Sequence, residues 1–129
     1  MLAKGTFEVK LEPQAPAALL AETGLGRMTI DKVFAGDLVA RSRGEMVAFR
    51  TATEGSAGYV AMECVEGRLD GRGGRFVLQH SSTMERGHSQ LTVHVVPDSG
   101  TEELTGLLGT MTILVEHGRH FYTFEYSLP

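Results

Sequence analysis

Residues 76–96 read FVLQHSSTMERGHSQLTVHVV. Polar and apolar residues alternate on both sides of Arg86-Gly87, the pattern of two half-buried strands joined by a tight turn. Pairing Glu85 with His88 puts Phe76, Leu78, His80, Met84, Leu91, Val93 and Val95 on one face. Val77, Gln79, Ser81, Thr83, Gln90, Thr92 and His94 take the other. The first face belongs to a core, and it carries one histidine.

Working outward, three more hairpins follow the same rule. Gly36-Asp37 joins 27–35 to 38–50. A two-residue turn there sets Leu38, Ala40, Ser42 and Gly44 beside Val33, Asp31 and Thr29, and sends Lys32, Arg41, Arg43 and Glu45 to water. This inward face is small and mixed in polarity, which leaves space for a ligand. Gly118-Arg119 collects Met111, Ile113 and Val115 with Tyr122, Phe124 and Tyr126, with His117 and His120 together at the end of that face. The hairpin from 58–69 to Arg75 has an ambiguous register. A four-residue loop turns Tyr59, Ala61, Glu63, Val65 and Leu69 inward and brings Glu63 close to His80; a three- or five-residue loop buries Val60, Met62 and Cys64 instead. Phe7, Val9 and Leu11 mark one further strand. Residues 17–22 read either as a short helix or as an extended edge. Ser99 and Glu102 fit a capping box over one helical turn that ends at Gly106.

The 129 residues suit one domain spanning 1–129. About eight strands with short connections predict an all-β fold, a closed antiparallel β-barrel with at most one short helical turn, because closure removes exposed edges. An eight-stranded interior is either filled by side chains or holds one small ligand.

A net charge of −4 gives no basic footprint for nucleic acid. The clusters Arg41 with Arg43, and Arg68, Arg72 and Arg75, read as solvated faces and hairpin tips. One cysteine, Cys64, allows no internal disulfide and reads as a small buried apolar residue. The N-terminus lacks the apolar run of a signal peptide and no segment is long enough to cross a membrane, so the expected setting is the cytoplasm.

Gly74–His80, GRFVLQH, resembles the signature of a bacterial family catalogued as domain of unknown function 3224. Val33–Leu38, Met62–Gly67, Val96–Leu107, His117-Gly118 and Tyr122–Tyr126 match it in order, so the resemblance covers nearly the whole chain. Ser82 stands where the family pattern has glycine, and Cys64 where it has a larger residue. The resemblance implies an allene oxide cyclase-like barrel; plant members of that fold close a ring in an unstable fatty-acid epoxide. It implies no catalytic residues. It also implies a homo-oligomer, with a dimer favoured, for which Phe34, Val39 and Phe121 fall on outward faces.

Glu63 and His80 are the candidate catalytic pair. Both facing inward, they form a carboxylate–imidazole hydrogen bond suited to proton transfer, or else a polar pair that only fixes the barrel register. Tyr59, Ser42, Asp31, Tyr122 and Tyr126 are candidate ligand contacts, the tyrosines serving otherwise as core packing. His117 and His120 lack the further ligands that zinc needs, so neither a metal nor another cofactor is expected. Gly71-Arg72-Gly73-Gly74 lacks the spacing of a phosphate loop, and no serine sits in a nucleophile elbow. Three functions stay open. They are a module binding a small apolar ligand, a cofactor-free isomerase or cyclase acting on a small hydrophobic substrate, and an oligomeric structural protein with a filled barrel.

Overall fold

A computed structural model describes residues 1–129. Eight strands run in chain order: β1 (Leu2–Gln14), β2 (Gly26–Gly36), β3 (Leu38–Arg50), β4 (Ala57–Leu69), β5 (Arg72–Glu85), β6 (His88–Val95), β7 (Leu108–Glu116) and β8 (Arg119–Ser127). Each pairs antiparallel with its neighbours, and β1 closes on β8. Helical structure amounts to two 3-10 turns, Ala18–Leu20 and Glu102–Leu104, one more than the sequence predicts. Neither is long or apolar enough to cross a membrane.

The turns decide the faces. Arg86-Gly87, Asp70-Gly71 and His117-Gly118 all have positive φ at both residues, which matches the twist of two strands joined by a two-residue turn. Glu85 opposes His88, as the sequence predicts. In the other two hairpins the turn lies elsewhere than expected, with Leu69 opposite Arg72 and Glu116 opposite Arg119. For β7–β8 the shift is even and leaves every side chain on its face; for β4–β5 the observed turn has the parity of the four-residue loop and rules out the alternative that buries Val60, Met62 and Cys64. Glu63, Val65 and Leu69 therefore point inward, while Val60, Met62 and Cys64 lie exposed outside. The reading of Cys64 as buried is thereby corrected. His117 sits in the turn itself, apart from His120.

The β2–β3 hairpin overturns its expectation. Phe34 opposes Ala40, Lys32 opposes Ser42 and Ile30 opposes Gly44, so the turn centres on Asp37. This slip of one residue exchanges the two faces. Phe34, Lys32 and Ile30 are buried, whereas Asp31 and Val33 face outward. Two physical causes support it. Phe34 and Ile30 bury more apolar surface than Val33, Asp31 and Thr29 would. Gly36 adopts φ +104, and Asp37 clamps the tip to β1, accepting from Lys4 N–H at 2.8 Å and donating its own N–H to the Lys4 carbonyl at 3.0 Å. Of the residues expected outside, Val39 remains there, Phe121 is half-buried and Phe34 is core.

One end of the barrel is sealed. β6 pairs with β5 only from Leu78 onward, which would leave the N–H groups of Gly73, Arg75 and Val77 unpaired. The connection after Val96 supplies acceptors at alternate residues: Glu103 carboxylate for Gly73, Thr101 hydroxyl for Arg75 and Ser99 hydroxyl for Val77, at 3.0–3.1 Å. Ser99 thus caps a strand edge and not the 3-10 turn, whose start has no side-chain cap. The same connection drives Leu104 and Leu107 into the barrel end, where both are fully buried with Phe76 and Phe124. Tyr122 locks this half. Its hydroxyl accepts from Leu38 N–H and donates to the Ala35 carbonyl, both at 2.9 Å, across the β2–β3 turn. Gly5 makes that reach possible, because a Cβ there would stand 2.6 Å from the hydroxyl.

Tyr122→Phe leaves those two turn groups without their partner. It should lower the unfolding free energy by about 1–3 kcal/mol, read as a lower urea midpoint at unchanged slope. An unchanged midpoint would contradict this role.

Candidate functional site

Four adjacent strands contribute one inward polar side chain each: Lys32 from β2, Ser42 from β3, Glu63 from β4 and His80 from β5. They meet on the Glu63 carboxylate. Oε1 accepts from Lys32 Nζ at 3.0 Å and from His80 Nε2 at 2.6 Å, and Oε2 accepts from the Ser42 hydroxyl at 2.6 Å. Gly44 opposes Glu63 and makes room for it, since a Cβ at Gly44 would come within 2.7 Å of the Glu63 Cβ. The Lys32 ammonium also lies 4.7 Å from the Phe7 ring centroid, a favourable placement for a cation over an aromatic face. The Glu63 side chain has no solvent exposure, and the Lys32 side chain only 7%. No buried side-chain polar atom in the protein lacks a partner.

Burial alone pushes the Glu63 carboxyl pKa up. The His80 hydrogen bond, the Lys32 charge and the Ser42 hydroxyl together outweigh it and hold the group at about 2. Glu63 is therefore an anion with acceptors only, so His80 Nε2 must carry a proton and donate it. The ring makes its hydrogen bond through Nε2, which leaves Nδ1 for the adjoining cavity that His80 lines.

That cavity is the open half of the barrel, about 240 Å³ in volume. Phe7, Val9, Ile30, Met46 and Ile113 form its walls; Lys32, Ala61 and His80 form its floor, and Tyr59 and His120 add polar edges. At the mouth, Leu11, Leu91 and Val115 face inward yet stay exposed, so the apolar lining runs to the rim. A larger hollow of about 400 Å³ lies outside, among Arg41, Arg43, Cys64 and Glu66. It is a groove between side chains standing off the barrel wall, with no buried polar group aimed into it. No three His, Cys, Asp or Glu side chains gather to hold a metal ion.

Residues 3–126 match the family model described as protein of unknown function (DUF3224). The chain belongs to the DUF3224 family. Its structure is similar to the crystal structure of a DUF3224 protein of unknown function from Shewanella oneidensis MR-1, with a TM-score of 0.94 and 51% identity over 100% of this chain and 97% of that one. No match occurs among the curated proteins.

Two of the segments by which the chain resembles DUF3224 proteins carry the centre of the site, Met62–Gly67 with Glu63 and Gly74–His80 with His80. Ser42 joins them and Tyr59 lies on the cavity wall, where burial raises its hydroxyl pKa. Three other candidates lie elsewhere. Asp31 stands outside in a two-pronged pair with Arg41 at 3.0 and 3.2 Å, whose hydrogen bonds hold its carboxyl pKa below the usual value. Tyr122 and Tyr126 sit in the sealed half. The Tyr122 hydroxyl is used by the backbone, and the Tyr126 hydroxyl bonds Asp70, with burial and then that carboxylate pushing its pKa up to about 12. Inward-facing in sequence does not say which end of the barrel a residue reaches. Lys32 and His120 are the additions. The alternation Ile30, Lys32, Phe34 carries the signal for Lys32, which a turn centred on Asp37 faces inward.

The Glu63 pKa lies below its ordinary value of 4.5, so its contribution to stability is complete above pH 4.5 and is lost as the pH falls toward 2. Glu63→Gln should cost about 3 kcal/mol at pH 7 by leaving Lys32 without its counter-charge. The gap between wild type and variant, measured by urea unfolding, should narrow between pH 4.5 and pH 2. A gap that stays constant over that range would contradict an ionised Glu63.

Proposed function

We propose that this protein binds a small, mostly apolar molecule in the open half of the barrel, with the polar end of the ligand on His80. One observation carries the reading: the apolar cavity ends on a buried cluster whose carboxylate is fully bonded from within, while two of its members, His80 and Lys32, line the cavity and keep hydrogen-bonding capacity to spare. Apolar walls with a few convergent polar groups are the usual make-up of a ligand site. At about 240 Å³ the space is smaller than most drug-sized pockets, which suits a compound of roughly a dozen non-hydrogen atoms.

A cofactor-free isomerase or cyclase is the second reading, and a specific feature favours it. An imidazole whose Nε2–H is held by a buried carboxylate presents Nδ1 as a positioned base. Both readings share the same cavity and differ in what happens to the ligand.

2-Naphthol is a suitable probe, flat and apolar with one hydroxyl to donate to Nδ1. Titration into labelled protein should shift the NMR signals of Tyr59, His80 and Ile113. Ile113→Trp, which narrows the cavity from its wall, should weaken binding about tenfold, equivalent to about 1.4 kcal/mol. Shifts confined to the outer face, or an unchanged affinity in the variant, would rule the cavity out as the site. Native mass spectrometry of the purified protein would show any natural ligand directly.

A further inference from the structure

We propose that the floor of the cavity is an enolisation site for small, neutral, apolar ketones, with His80 Nδ1 taking the proton beside the carbonyl and the Lys32 ammonium holding the carbonyl oxygen. This rests on the ligand-binding reading above and adds the chemical class of the substrate and its reaction.

Four features of the floor narrow the chemistry. First, Lys32 Nζ and His80 Nε2 bind the same oxygen, Glu63 Oε1, so the ammonium and the imidazole ring that carries the base are neighbours in the lining of one cavity. Second, an ammonium has three donors, and Lys32 directs one to Glu63 while lining the cavity itself. Third, the Lys32 and Glu63 charges balance, so the floor offers no net charge to recruit an anionic ligand and suits a neutral one. Fourth, the cavity contains no free nucleophile. The Ser42 hydroxyl is buried and committed to Glu63 at 2.6 Å, and Cys64 is on the outside. Proton transfer is the chemistry left to these groups.

The reaction balances without a co-reactant. His80 Nδ1 removes a proton from the carbon next to the carbonyl. The C–H electron pair becomes the C=C bond, and the carbonyl π pair moves to oxygen, where the Lys32 ammonium stabilises the enolate by hydrogen bonding. The proton on Nδ1 then returns to the same carbon, giving exchange, or to a conjugated position, giving a double-bond shift. Glu63 is a positioning residue: it keeps Nε2 protonated and stabilises the imidazolium formed midway. The apolar walls limit water around the developing oxyanion, which strengthens the Lys32 interaction.

2-Tetralone in D2O with the full-length protein tests this, with loss of the proton signals beside the carbonyl and the protein signals read in the same NMR tube. The wild type should accelerate exchange about a hundredfold over buffer, the usual scale for one positioned base. His80→Gln keeps an amide donor for Glu63 and removes the base, so it should bind 2-tetralone but exchange it no faster than buffer. Lys32→Met should lose most of the acceleration. Saturating the wild type with 2-naphthol should abolish it too, which tests the cavity even where a variant fails to fold. Binding at Tyr59 and His80 with exchange no faster than buffer would overturn the enolisation site and leave the ligand cavity standing. So would exchange that survives 2-naphthol. Absence of any shift at cavity residues would overturn both.

Discussion

The carboxylate of Glu63 is the constraint around which this barrel is arranged. An anion with no solvent exposure is costly to bury, and removing any one of its donors leaves charge or hydrogen-bonding capacity uncompensated. Lys32, Ser42 and His80 come from three other strands, β2, β3 and β5, to meet it. The cluster therefore fixes the register of half the barrel. A slip of one residue in any of these strands would turn its polar group to solvent and strand the rest.

Below the cluster the interior is closed and above it the interior is open. The sealed half is held by Leu104 and Leu107 from the β6–β7 connection and by the Tyr122 hydroxyl across the β2–β3 turn. The open half has apolar walls reaching an exposed rim at Leu91 and Val115. Glu63 stands between the two, bonded to Ser42 and to Lys32 and His80, which line the cavity. Stability and the proposed chemistry share one set of residues, so substitutions there should move both.

The barrel was legible because alternation and turn residues agree along most of the chain. Arg86-Gly87 gives its register directly, and at His117-Gly118 the turn differs from the expected one by an even step, which leaves the faces unchanged. At the β4–β5 hairpin the sequence leaves both parities open, and the two-residue turn at Asp70-Gly71 selects the one that puts Glu63 beside His80. At Gly36-Asp37 the error was odd, and a single residue exchanged Lys32 for Asp31. The information that breaks the tie is not local: Asp37 is clamped by β1, and the turn is pinned by a tyrosine from β8. The same holds for Ser99, whose hydroxyl serves the edge of β5 at Val77 in place of a helix start. Local pattern reads faces well, and long-range hydrogen bonds decide which of two adjacent registers is used.

The arrangement is tested most directly by the tautomer of His80. Nitrogen-15 NMR at a pH where the ring is neutral separates an imidazole protonated at Nε2 from one protonated at Nδ1. An ionised Glu63 bonded to Nε2 requires the proton there, with Nδ1 bare and its signal moving when 2-naphthol is added. A ring protonated at Nδ1, or one indifferent to Glu63→Gln, would contradict the account at its centre.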